Sequence, residues 1–166
     1  KVSEVFKTKW FSIVKFNYNK LEYFKLNQPK GIVILPLTKN NKLILIEQYR
    51  PCQRRKTLEF PAGSLEKNES NLDCAKRELL EETGYSSDNW ALLGTGVLRL
   101  ERENTENYFY LARDCKFLKK NDDQNDVKIF DKIEFKKLLK NNKFDHIAAT
   151  IALIWAKEKY DINFID

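Results

Sequence analysis

Between Gly63 and Tyr85 the chain reads GSLEKNESNLDCAKRELLEETGY, and residue type alone sets the start, the end and the polar face of a helix there. Ser70 is an N-cap residue, Asp73 stands where a capping box needs its acceptor, and Gly84 offers the left-handed conformation that ends many helices. Within those limits Leu72, Ala75 and Leu79 form an apolar stripe, while Glu78, Glu81 and Glu82 fall at i, i+3 and i+4 and share one face. Like charges at that spacing repel, and anions at a helix C-terminus oppose the helix dipole, each by roughly a few tenths of a kcal/mol. Arg77 can pair with Asp73 or Glu81, but one guanidinium does not neutralise three carboxylates. A divalent cation does: Mg²⁺ takes hard oxygen ligands, keeps several waters and shares its shell with phosphates. The competing reading is an acidic face left to solvent.

Around this helix the chain alternates. WFSIVKFNYNKLEYFKL, from Trp10, pauses at Asn19-Lys20 and reads as a two-stranded hairpin. GIVILPLTKNNKLILIEQYR gives two apolar strands joined by a polar turn at Thr38 to Asn41, and WALLGTGVL, NYFYLA and VKIF are further strands. Helical spacing returns over residues 133 to 140 and from Asp145, an N-cap residue, to Tyr160, where Ile147, Ile151, Ile154 and Trp155 recur. The expected fold is α/β (α+β), a sandwich of helices on a mixed β-sheet with an N-terminal β-hairpin, in one domain over residues 1 to 166. No apolar run is long enough to cross a bilayer; the longest is GIVILPL. The three cysteines lack metal-type spacing, so they are read as reduced packing residues and the protein as cytoplasmic, with no membrane partner. The net charge of +6 suits a phosphate-bearing ligand; without interleaved basic and aromatic residues, nucleic acid is not the expected partner.

The 63–85 stretch fits, position for position, the pattern Gly, five residues, Glu, seven residues, Arg-Glu, apolar, any, Glu-Glu, any, Gly, apolar; Gly63, Glu69, Arg77, Glu78, Leu79, Glu81, Glu82, Gly84 and Tyr85 fill it. This resembles the box of the Nudix hydrolases, and EQYRPCQRRKTLEFPAGSLE before it resembles the ADP-ribose pyrophosphatase branch. The resemblance implies a Nudix-type α/β/α sandwich and hydrolysis of the diphosphate in a nucleoside diphosphate derivative, ADP-ribose or a related nucleotide sugar. It implies Mg²⁺, with Mn²⁺ able to substitute, held by Glu78, Glu82 and the carbonyl of Ala62, with Glu81 as a further ligand or as the group that orients the attacking water. Arg77 would orient the carboxylates, Glu69 brace the loop, Gly63 permit its turn, Glu59 help order the metal site and Arg50 contact phosphates, or else pair across strands. Trp10 and Tyr49 are candidates to stack on the base, and residues 1 to 28 are a candidate dimerisation element of a homodimer.

The chain departs from that branch in one place. A proline is expected 16 residues beyond Tyr85, where this chain has Glu101. The general base is assigned to Asp126, in the polar loop KKNDDQNDVKIF, ahead of Asp123, Glu101, Glu103, Glu106 and Glu81; His146 is read as a capping or surface residue. A dinucleoside polyphosphate or RNA 5′-end pyrophosphohydrolase, and a non-catalytic ligand sensor, are the alternatives.

Overall fold

The computed structural model describes residues 2–123, 125–144 and 146–166. Three strands, β1 (Ser3–Lys7), β2 (Ser12–Tyr18) and β3 (Leu21–Asn27), form an antiparallel N-terminal sheet. The expected hairpin is β2 and β3, turning through Asn19 and Lys20, both at positive φ, as a tight two-residue loop requires. β1 is an addition: SEVFK is exposed along its whole length and carries no burial pattern from which to read it.

The larger sheet is built on β4 (Gly31–Thr38) and β5 (Leu43–Arg50) and also contains β6 (Arg55–Glu59), β7 (Ala62–Ser64), β8 (Tyr85–Ser86), β9 (Asn89–Gly96), β10 (Asn107–Phe117) and β11 (Asp126–Phe130). Its central order is β11-β5-β4-β10-β8, with β6 on β5, β7 on β4 and β9 on β10; β4 and β10 run parallel and their other neighbours antiparallel. The unbroken apolar run of β4 is what a strand covered on both faces needs. Ile32 and Ile34 face α1 (Asn71–Thr83), where Cys74, Ala75 and Leu79 pack on them. Val33, Leu35 and Leu37 face the other way, into the core shared by Phe135 of α2 (Lys132–Lys140) and by α3 (Ile147–Tyr160). Burial of each such side chain contributes about 1.5–3 kcal/mol, far more than the repulsion in the last turn of α1 removes. Packing therefore holds the acidic helix in place.

The face of α3 differs from its sequence spacing. Ile147 and Ile154 are exposed, Ile151 and Trp155 only partly buried, and the core side is Ala149, Ala152, Leu153 and Ala156. The helix is apolar nearly all round, so periodicity does not choose its face; the small alanines let it lie close to the sheet, and Trp155 fits over Gly94, where a Cβ would stand 2.8 Å from the ring. The expected cap, Asp145, lies outside the described residues. Among the described residues no helix is long and apolar enough to cross a membrane.

The segment holding Glu101 ties the two sheets together. Leu26 N–H donates to the Arg102 carbonyl at 2.7 Å, and Gln28 Nε2 donates to the buried carboxylate of Glu103 at 2.7 Å. Glu103 is thus a structural clasp.

Candidate active site

Gly63 lies in β7 beside Ile32 of β4, and the Glu78 carboxylate occupies the space that a Cβ at Gly63 would fill. The pitch of α1, about 100° per residue, leaves its three box carboxyls unequally buried. Glu82 is buried, with 6% of its surface exposed; the Glu78 side chain is 12% exposed and that of Glu81 38%. The helix is capped as its sequence indicates: the Ser70 hydroxyl accepts from Asp73 N–H, and Gly84 takes φ 76°.

Arg77 links the box. Nε donates to Glu69 Oε1 at 2.8 Å, and Nη1 donates to Glu78 Oε1 at 2.8 Å and Glu81 Oε2 at 2.9 Å. Nη2 reaches the Ser64 carbonyl at 3.2 Å and Glu69 Oε2 at 3.1 Å. Asp73, the other expected partner of Arg77, instead accepts from the Ser70 hydroxyl. The bond from Arg77 is the main reason the Glu69 carboxyl is held down to about 2, aided by the Glu66 N–H.

The opposite holds at the far end of the box. Burial pushes Glu82 up to about 8; the Ala62 N–H, donating at 2.8 Å, opposes this, and the charges of Glu78 and Asp123 add to it. Burial also raises Glu78, against the pull of Arg77 and with the repulsion of Glu81 and Asp123. Asp123 comes close because the loop after β10 folds over the C-terminus of α1: Asp122 and Asp123 N–H groups donate to the Glu81 carbonyl at 2.9 and 3.2 Å, and Asn121 Nδ2 donates to that of Glu82 at 3.0 Å. These donors satisfy carbonyls that a helix end otherwise leaves orphaned. Asp126 stands elsewhere, at the start of β11, opposite Glu47 and ion-paired with Lys56 Nζ at 3.1 Å, which lowers its pKa.

A second group of residues adjoins the box. Arg50, at the end of β5, donates from Nε to Glu59 Oε1 at 2.7 Å and from Nη2 to Oε2 at 2.5 Å, across the β5–β6 pair. Burial pushes Glu59 up, but bonds from Arg50 and Thr57 outweigh it and the net shift is downward. The charge of Arg50 also favours ionised Glu82. Arg50, Glu59, Thr57, Gln53, Arg55 and His146 line a cleft of 450 Å³. Trp10 and Tyr49 are exposed and do not line it: Trp10 sits in the β1–β2 turn with Lys9 Nζ 4.5 Å from its ring centroid, and Tyr49 precedes Arg50 on β5. Sequence reading passed over Thr57 and set His146 aside as a capping or surface residue. Thr57 carries no motif; its hydroxyl donates to Glu59 Oε1 at 2.5 Å, and His146 Nδ1 accepts the N–H of Phe60.

A Nudix domain model matches residues 27–150, well over half of the chain. The chain belongs to the Nudix family. Among its relatives, a methanol dehydrogenase activator of Bacillus methanolicus is 40% identical over 63 residues, 38% of this chain and 34% of that protein. An ADP-ribose pyrophosphatase of Bacillus subtilis (strain 168) is 40% identical over 62 residues, 37% and 34% of the two chains. An ADP-sugar pyrophosphatase of Mus musculus is 36% identical over 96 residues, 48% and 44%. These alignments span less than half the length of each relative. A solved structure described as an ADP compounds hydrolase shares the fold, with a TM-score of 0.79 at 20% identity, covering 95% of this chain and 90% of that one.

Nudix hydrolases use divalent metals, and the donor set here suits one. Its side chains are hard oxygens, Gly63 clears the space for Glu78, and the burial that raises Glu82 is what a cation beside it would offset. Among the described residues no three carboxylate, imidazole or thiol groups are already set as a cage, since Arg77 stands among the glutamates.

Proposed function

We propose that this Nudix chain hydrolyses the diphosphate linkage of ADP-ribose or a related ADP-sugar, giving AMP and a sugar phosphate. The observation that carries the reading is Glu82: a carboxylate with 6% of its surface exposed, crowded by Glu78 and Asp123, beside a cleft whose wall is Arg50. No packing purpose calls for carboxyls crowded in a buried place, since ionising one there without a cation costs on the order of several kcal/mol, which is why burial holds Glu82 up at about 8. A bound cation explains it. The names of the Bacillus subtilis and mouse relatives favour an ADP-linked substrate.

Glu78, Glu82 and the Ala62 carbonyl would hold Mg²⁺, or Mn²⁺ in its place, with Glu81 alongside. When bound, the cation supplies charge neutralisation for the diphosphate and a more acidic water. Arg77 keeps Glu78 and Glu81 aimed from one guanidinium, with Glu69 fixing its other edge. Arg50, already half committed to Glu59, turns its remaining N–H groups to phosphate oxygens, a geometry that its planar fork suits. The role of proton acceptor goes to Asp123, whose charge reaches Glu78 and Glu82, rather than to Asp126, which Lys56 engages. The oxygen of the attacking water joins one phosphorus and the bridging oxygen leaves with the other, so the products are two monophosphates.

The test is to incubate the protein with Mg²⁺ and ADP-ribose, GDP-mannose, diadenosine polyphosphates or capped RNA, and to identify products by mass. AMP and ribose 5-phosphate from ADP-ribose, ahead of the other substrates, is the expected outcome. Preference for a substrate without an ADP moiety would overturn the substrate class, and turnover of none would overturn hydrolysis.

A further inference from the structure

His146 opens α3 yet makes no side-chain capping bond to it. Its ring turns toward β6 and β7 instead. Nδ1 accepts the N–H of Phe60 at 3.2 Å, joining positions 86 residues apart. An accepting Nδ1 places the proton of the neutral ring on Nε2. The two residues are also linked through a third: the Phe60 ring lies 5.8 Å from that of Phe144, and Phe144 lies 6.4 Å from the imidazole.

Phe60 belongs to a four-residue ribbon, Glu59 to Ala62, whose members each hold a different part of the site. Glu59 binds Arg50 in a bidentate pair; the Pro61 carbonyl accepts from Ile34 N–H at 2.9 Å on the central strand; Ala62 N–H holds Glu82. Phe60 is the point at which the ribbon is fastened to the closing helix.

We propose that His146 is a positioning residue: through the Phe60 N–H it fixes the ribbon, and so sets how the Arg50–Glu59 pair stands relative to the carboxylates of α1. This rests on the proposed function for its catalytic consequence and on geometry alone for its structural one. Arg50, Arg55, Glu59 and Cys52 line the same cleft as the imidazole. Without the acceptor, the Phe60 N–H loses its partner beneath a half-buried ring, and a shift of the ribbon moves Glu59 and Ala62 together.

Asparagine separates this from simple packing, because its Oδ1 occupies much the same place as Nδ1 and keeps the acceptor while the ring is lost. Four quantities are measured for wild type, His146→Ala and His146→Asn: amide hydrogen exchange at Phe60 and Ala62, Mn²⁺ affinity by electron paramagnetic resonance, kcat and KM on ADP-ribose, and Tm. His146→Ala is expected to speed exchange at Phe60 and to weaken Mn²⁺ binding about 10-fold, as loss of an outer partner of a metal site does. kcat should fall by a similar factor. His146→Asn should stay within about threefold of wild type in exchange, Mn²⁺ affinity and kcat. Unchanged Phe60 exchange and Mn²⁺ affinity in His146→Ala would overturn the proposal. Equal losses in both variants, matched by equal losses of Tm, would also overturn it, by showing that the ring only packs against Phe144. Failure of wild type to turn over any substrate would sink the proposed function and leave exchange and Mn²⁺ affinity to decide the role of His146.

Discussion

The two faces of the central sheet are covered by helices built on opposite terms. On one side α3 lays Ala149, Ala152, Leu153 and Ala156 against the strands, with Trp155 over Gly94 and edge-on to Phe109 at 5.2 Å. On the other side α1 packs through Cys74, Ala75 and Leu79 and then, one turn later, carries Glu82 into the same interior. The first face is what stability alone produces. The second gives up stability at one turn, where carboxyls gather near Arg50, and the apolar contacts earlier in the same helix keep it docked. The contrast marks the side of the sandwich on which the proposed site lies.

The largest effect that would break this contrast is expected from Glu82→Gln. Glutamine keeps an oxygen for the Ala62 N–H but removes the charge, so turnover should fall about 100-fold or more. Near neutral pH the metal-free variant should meanwhile melt higher, because wild type must take up a proton at Glu82 to fold, by about 2–4 °C for each kcal/mol of that cost removed. Calorimetry without Mg²⁺, run beside the activity assay, reads both; wild-type activity, or a lower Tm, would mean that the buried carboxyl has no functional purpose.

On the opposite face, Leu153→Ala should cost about 2–5 kcal/mol in urea unfolding through the cavity it leaves, with kcat of the folded enzyme unchanged. A selective loss of kcat would show that the two faces are not independent. Asp123→Asn is next, with kcat expected to drop about 100-fold as the proposed proton acceptor is lost, while Asp126→Asn leaves it within about threefold. The reverse ranking would return the base to Asp126.

The smallest effect concerns acid stability. The Glu69 carboxyl is held down to about 2 by Arg77, against an ordinary 4.5. The unfolded chain therefore binds that proton first: the stability contributed by the pair is fully present above about pH 4.5 and fades as pH falls toward 2. Urea titrations between those limits should show a shallower acid loss for Glu69→Gln than for wild type. Identical slopes would remove the pair from the account of acid unfolding.

What the sequence determined by itself was local or periodic. Ser70 and Gly84 fix the ends of α1 because caps are short-range chemistry, and the spacing of Glu78, Glu81 and Glu82 places them on one face because helical pitch is constant. The strand pairs β2–β3 and β4–β5 were legible for the same reason: alternation and turn residues act over a few positions. What only the tertiary structure decided depends on groups distant in the chain. Which glutamate is buried follows from how α1 docks on β4 and β7; Asp123 rather than Asp126 nears the box because the loop after β10 supplies donors to the last carbonyls of α1. The inward face of α3 was hidden because a helix apolar on every side has no periodic contrast, and close approach to the sheet selected its alanines. His146 was hidden more completely, since a hydrogen bond spanning 86 residues leaves no local mark and arises only where the chain returns to Phe60.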